Sequence, residues 1–331
     1  MAYRPEILAY LSTPGSWAIA EFFAIALFLY CLADIIRNSD DKVKVFRALE
    51  LLGFIIYAGI FENIGVLGNT YNYSLDRLIM VGTVPLSILM FEAVIFYAAL
   101  RFAEAMKFPK WTIPFIVGLL AVLQDMTIDP VAVFDTHLVA GVMEGRWNWI
   151  TNYKGLLFGI PFFNYTGWFF LMFYYTALIK LGRNFHKKKN YRTGPGIAYL
   201  ILSPIIGVLL ILSPITRFFL FLEPFFTKFI HRPVEISMLV FFMIISIVIL
   251  IKYQKKDISI NLKDDKVIWI IPLILHTFDI ILAFSLKITI AYIPVLLFAG
   301  IHLGYLAYCY LKSHNQMKHN RTAEELNKAT H

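Results

Sequence analysis

The sequence predicts an all-α fold, a polytopic transmembrane bundle of about nine helices with seven as the lower bound. Three observations lead to it. Of 331 residues, 59% are hydrophobic and only 16% are charged, where a soluble domain carries roughly 25% charge. Apolar runs of about 20 residues, long enough to cross a bilayer core, recur along the whole chain. The basic residues gather in alternate loops instead of spreading evenly. Such runs become helices because hydrocarbon offers the backbone no hydrogen-bond partner outside its own segment.

The first run, Ser16–Ile36, has no basic leader and no small-residue cleavage site, so it reads as a retained helix and not a signal peptide. Arg37, Lys42, Lys44 and Arg47 follow it. The second run, Ala48–Leu67, carries Glu62 near its end and leads into "GNTYNYS". The third, Leu78–Met106, places Glu92 near mid-depth and is closed by Arg101, Lys107 and Lys110. The fourth, Trp111–Ile128, ends in "LQDMTIDPVAVF", where Asp125 and Asp129 stand four apart before Pro130. The fifth, Gly159–Leu181, runs towards Lys187, Lys188 and Lys189. The sixth, Gly196–Leu222, holds "ILSPI" twice, read as proline-kink chemistry within one helix and not as a repeat architecture. Pro233–Ile251, Val267–Leu286 and Ile288–Leu311 complete the nine, the last two parted only by Lys287 and its neighbours. Residues 1–311 thus form one transmembrane domain, and residues 312–331 a polar cytoplasmic tail, frayed or a short extension.

Charge sets the orientation. Alternate loops and the tail hold 22 of the 30 lysines and arginines. The positive-inside rule then puts the N-terminus outside and the C-terminus in the cytoplasm of a multi-pass protein of the cell (plasma) membrane. This distribution suits contact with membrane lipid headgroups. It does not suit nucleic acid, since no aromatic–basic groove motif accompanies the charge. Cys31 and Cys309 lie far apart inside predicted helices and give neither a disulfide framework nor a metal spacing.

Ionisable side chains inside the apolar runs are few: Glu21, Glu62, Glu92, Asp125, Asp129, His276, Asp279 and His302. Each costs several kcal/mol unless it faces a partner, water or the bundle interior. Most fall near mid-membrane or in the outer half, which predicts one shared cavity. On a helix, Asp125 and Asp129 share a face with their side chains about 6 Å apart. Two carboxyls that close in a low dielectric titrate as a unit, and one is expected to hold a proton at neutral pH. A proton held in this way can serve as a general acid. The plainer alternative has Asp129 capping the turn before Pro130 and Asp125 paired with a base such as Arg146. His276 and Asp279, three apart, are expected to pair with each other. The histidines show no HxxxH or HxxH spacing, and there is neither a GxGxxG nor a P-loop, so no metal and no cofactor is expected.

Four blocks keep a telling order between Phe61 and Phe170: "FENIGVLGNTYNYS", "VGTVPLSILMFEAVIFYA", "DMTIDPVAV" and "GRWNWI" running on to "YKGLLFGIPFFNYTGWFF". This set resembles the carotenoid biosynthesis membrane proteins of the CruF type, the bacterial and archaeal carotenoid 1,2-hydratases (bisanhydrobacterioruberin hydratase-like). Three features depart from that pattern. Glu92 stands where a tryptophan is usual, "FDTHLVAGVME" looks like an insertion, and "LLFGIP" replaces Tyr-Tyr-Gly-Ile-Pro. The resemblance implies cofactor-free addition of water to the terminal C=C of an acyclic carotenoid, a lipid-soluble polyene. The residues suit that task. Asp125 and Asp129 offer the acid, and Glu62 or Glu92 a second carboxylate to order water. Tyr71, Tyr73, Trp147, Trp149 and Trp168 offer aromatic faces to a cation. Asn63 and Asn164 offer amides to hold the water.

Two rival functions belong to other classes. Intramembrane prenyltransferases also combine many helices with helix-end aspartates, but they need two aspartate-rich clusters for magnesium and diphosphate, and only Asp125/Asp129 fits here. A proton-coupled small-molecule transporter would use intramembrane acids and helix prolines, with an inverted repeat that the two halves do not display.

Overall fold

The computed structural model describes residues 13–150, 156–216, 233–254 and 265–329. Nine long helices lie among them: α1 (Gly15–Asn38), α2 (Lys44–Leu67), α3 (Leu86–Ala105), α4 (Ile113–Phe134), α5 (Phe162–Lys188), α6 (Thr193–Ile211), α7 (Pro233–Tyr253), α8 (Val267–Ser285) and α9 (Thr289–Ala329). Seven are long and apolar enough to cross a membrane, namely α1 to α4, α6, α8 and the Thr289–His314 part of α9. The protein is therefore an all-α, multi-pass membrane bundle. In α5 the C-terminal half carries Lys180, Arg183, His186, Lys187 and Lys188, which lowers its apolar character.

The most enclosed helix is α4, which packs against α3, α5, α7, α8 and α9. A helix that is apolar all round belongs in the interior, and α4 reads that way until its last turns. Its closest crossing, with α5, depends on Gly118: a Cβ there would sit 2.8 Å from the Phe169 ring. At the bundle end where α2 begins, Glu50 binds Arg47 and Arg183, and Arg183 with Lys180 binds Glu104 of α3. At the opposite end, the α2–α3 and α4–α5 connections form a small roof of antiparallel ribbons. β1 (Tyr71–Tyr73) pairs with β6 (Trp147–Trp149), setting Tyr71 opposite Trp149 and Tyr73 opposite Trp147. β2 (Met80–Val81) turns onto β3 (Val84–Pro85), β4 (His137–Val139) onto β5 (Val142–Glu144), and β7 (Leu156–Leu157) onto β8 (Ile160–Pro161). Their two-residue turns take positive φ at Gly82, at Ala140 and Gly141, and at Phe158 and Gly159, as tight hairpins require.

Several boundaries differ from the sequence expectation. The third helix starts at Leu86, because residues 80–85 form a hairpin held by Asn63: its Nδ2 donates to Gly59 O (2.7 Å) and Val81 O (3.1 Å), and its Oδ1 accepts from Thr83 N (2.8 Å). The fourth continues through Pro130 to Phe134, since a late proline forfeits only the bond to the carbonyl of Met126. Asp125 and Asp129 therefore lie inside the helix, and Asp129 caps no turn. The insertion-like "FDTHLVAGVME" is the β4–β5 hairpin. The sixth helix stops at Ile211, so the second "ILSPI" lies beyond it and the two copies do not share one helix; residues 217–222 of the expected run are outside the described residues. Helix α9 continues to Ala329, through most of the polar tail. Lys287, at φ 55°, marks the expected break between α8 and α9.

Candidate active site

Alternation along β1 puts Tyr71 and Tyr73 on one face, and both reach the late turns of α2. The two phenols donate to the same oxygen of Glu62, at 2.7 Å from Tyr71 and 2.6 Å from Tyr73. Burial and the Glu62 carboxylate hold both phenols well above their ordinary value of 10.0. They therefore stay protonated and remain donors. Tyr71 packs edge-on against Trp149 (centroids 5.2 Å apart) and Tyr73 against Trp147 (6.0 Å), while Trp149 meets Phe163 of α5 (5.6 Å). Gly65, one turn after Glu62, lies under the Tyr71 ring; a Cβ there would collide with the phenol oxygen.

Three more carboxyls stand nearby. Glu92 of α3 lines the same cavity as Glu62, and Asp125 lies about one helical turn before Asp129 on α4. The Asn164 Nδ2 in the first turn of α5 donates to both aspartates, at 2.5 Å to Asp129 and 3.1 Å to Asp125.

Three of these carboxyls face one cavity of about 250 Å³. Glu62, Glu92 and Asp129 line it, together with Tyr71, Tyr73, Trp147, Trp149, Asn164 and Trp168, and most of the remaining wall is apolar. Among the described lining residues none is lysine, arginine or histidine. Asp125 stands behind Asp129 and is fully buried. Asn63 is not in the wall; its amide is spent on the β2–β3 hairpin, which corrects the role expected for it as a water holder. On one side the wall is Ile64 and Gly65 of α2 and Gly68 just after it, with Ile211 and Leu212 at the end of α6, and Ile64 is exposed on the bundle surface.

The eight intramembrane ionisable residues do not share a single cavity. Glu21 forms a buried ion pair with Arg77 (2.5 Å). Arg146 binds Asp135 (2.8 Å), not Asp125, and Asp135 also receives Ser16 and contacts His137, tying the start of α1 to the roof. His276 and Asp279 each bond Thr127 (3.1 and 2.9 Å), and His276 bonds His302 (3.0 Å). The expected direct pairing of His276 with Asp279 is thus replaced by a hydroxyl bridge. Among the described residues, no group of three or more His, Cys, Asp or Glu side chains converges as a metal site would require.

Sequence reasoning passed over Gly65, Phe163 and Thr127. Gly65 follows Glu62 by three residues, and Thr127 lies between the two aspartates on another face of α4. Those spacings were the available signals, but only the fold shows what each one touches. No family model, curated protein or solved structure matches the chain.

Proposed function

We propose that the protein is a carotenoid hydratase: a cofactor-free enzyme that adds water to the terminal C=C of an acyclic carotenoid or related isoprenoid. It works in the plasma membrane with nine crossings, the N-terminus outside and the C-terminus in the cytoplasm. The observation that carries this reading is the meeting of Glu62, Glu92 and Asp129, with Asp125 buried behind, at one apolar, aromatic-walled cavity. Hydration needs an acid on one side of the alkene, a base for water, and a wall that tolerates a cation.

Asp125 passes the proton the pair holds to Asp129, which touches the cavity and delivers it. A C–H bond forms at the less substituted alkene carbon, and the π pair leaves a tertiary cation next to it. Water forms the C–O bond and gives a proton to the Glu62/Glu92 pair. The Glu62/Glu92 pair then returns that proton to the aspartates, and the sum is alkene plus water to alcohol. Trp147, Trp149 and Trp168 stabilise the cation by about 0.5–2 kcal/mol per ring. A cavity of about 250 Å³ takes only the end of a long polyene, whose remainder stays in lipid and enters between α2 and α6. A prenyl diphosphate would also need basic side chains around its phosphates, and the described lining residues include no lysine, arginine or histidine, which counts against the prenyltransferase alternative.

The test is incubation of purified, chelator-treated protein with an acyclic carotenoid in H₂¹⁸O. One ¹⁸O per reacted end is expected. Unchanged substrate with folded protein present rejects the reading.

A further inference from the structure

Glu92 borders two cavities. Besides the large one, it lines a smaller cavity of about 30 Å³, and Ile88, Trp147 and Trp168 are the other residues common to both walls. The far side of the smaller cavity is polar, with Ser87 of α3, Asp279 of α8, and Arg77 and Arg146 of the roof. The arginines are already engaged, Arg77 with Glu21 and Arg146 with Asp135. One Asp279 oxygen accepts from Thr127. Two atoms are left over. The Ser87 hydroxyl has no hydrogen-bond partner in the protein, although the residue is only 4% exposed. Glu92 Oε2 receives no hydrogen bond from any N–H or hydroxyl group, although Glu92 is only 1% exposed. Buried polar atoms are seldom left in this state. A cavity above roughly 10–15 Å³ with two to four polar partners holds ordered water.

We infer that the chamber between Ser87, Glu92 and Asp279 is a water site that supplies the acid cavity, with Glu92 as the gate between them. This rests on the hydratase reading for its purpose but not for its existence. An apolar cavity filled by a polyene end has little room for bulk water, so the nucleophile must arrive from a separate store. Of the four residues common to both walls, only Glu92 carries a carboxyl, so water from the far side meets the cation beside that group. The group that orders the nucleophile is then the one that takes its proton: the water O–H bond breaks towards the Glu62/Glu92 pair as the C–O bond forms.

X-ray radiolytic labelling in H₂¹⁸O tests the site without substrate, because bound water generates radicals that oxidise adjacent rings. Phe91 and Phe278 line the small chamber alone of the two and serve as reporters. The wild type and Ser87→Ala, which keeps the space, are expected to gain ¹⁸O at both rings. Ser87→Leu, which fills it, is expected to lose that label while surface labelling stays unchanged. Absence of label in the wild type, or equal label in Ser87→Leu, overturns the inference. If Ser87→Leu does not fold, the wild type and Ser87→Ala decide alone, and label missing from either is the contrary result. Label without hydrated carotenoid in the activity assay would reject the hydratase reading and leave the water site standing.

Discussion

Replacing Asn164 with alanine takes one amide away from two carboxyl groups at once. In the fold, Nδ2 lies 2.5 Å from Asp129 and 3.1 Å from Asp125. A hydrogen bond to a charged group contributes about 1.5–3 kcal/mol. The bond to Asp129 matters most after the proton has gone to the alkene, when that carboxylate carries the new charge inside a dry cavity. Losing about 2–3 kcal/mol of that stabilisation slows the chemical step roughly 30- to 150-fold. Substrate binding should change little, because the amide does not hold the hydrocarbon. The assay is single-turnover hydration by protein in lipid nanodiscs, compared at equal amounts of folded protein, with the thermal midpoint measured beside it. A rate within about threefold of wild type would refute the assignment of Asn164 to the developing anion. So would an equal loss in a variant that keeps the amide, such as Asn164→Gln, if its folded fraction matched wild type.

The remaining predictions concern the roof and its anchors. Tyr71→Phe and Tyr73→Phe each leave Glu62 with one phenol donor; turnover is expected to fall about tenfold in each, and more than either single loss in the double variant. Gly65→Ala drives Tyr71 from its seat and should reproduce the kinetic loss of Tyr71→Phe; wild-type kinetics would show that the close approach is incidental. Glu21→Gln strands the buried Arg77 charge, with an expected loss of about 3–5 kcal/mol of stability read in a denaturation assay, and an unchanged midpoint would contradict the ion pair's role. The tyrosines also set a pH dependence. Phenols held above 10.0 in the fold ionise at their ordinary value once unfolded, so their contribution is complete below about pH 10 and is lost as pH rises beyond it. Wild type and the Tyr71→Phe/Tyr73→Phe variant should therefore show equal tyrosinate absorbance until unfolding. An excess in wild type before unfolding would contradict this.

Much of the architecture was legible in the chain because bilayer thickness and backbone hydrogen bonding leave few options. The nine apolar runs each have a helical counterpart, with boundary errors where turn chemistry intervened. Leu78–Pro85 is apolar enough to extend a helix, yet Gly82 and the Asn63 clasp make it a hairpin. The four acids were legible as expensive residues, and for Asp125 and Asp129 the spacing alone placed them on one face. Asn164 and the aromatic residues of the roof followed from the ordered blocks. What could not be read was contact across the chain. Nothing local says that Tyr71 and Tyr73 fold back onto Glu62, or that Arg146 prefers Asp135 to Asp125. Asn63 was expected to hold water, but one residue after Glu62 its side chain points about 100° further around the helix, where it bonds the hairpin. Glu21 looked like a lone acid because its partner, Arg77, lies in a distant loop.

The most direct measurement is mass analysis of pigment from a host that makes acyclic carotenoids and expresses the wild type, Asp125→Asn or Asp129→Asn. A gain of one water per reacted end is predicted with the wild type, and none with either variant at equal membrane insertion. Hydrated pigment from Asp129→Asn at wild-type yield, or unmodified pigment from abundant folded wild type, would contradict the account.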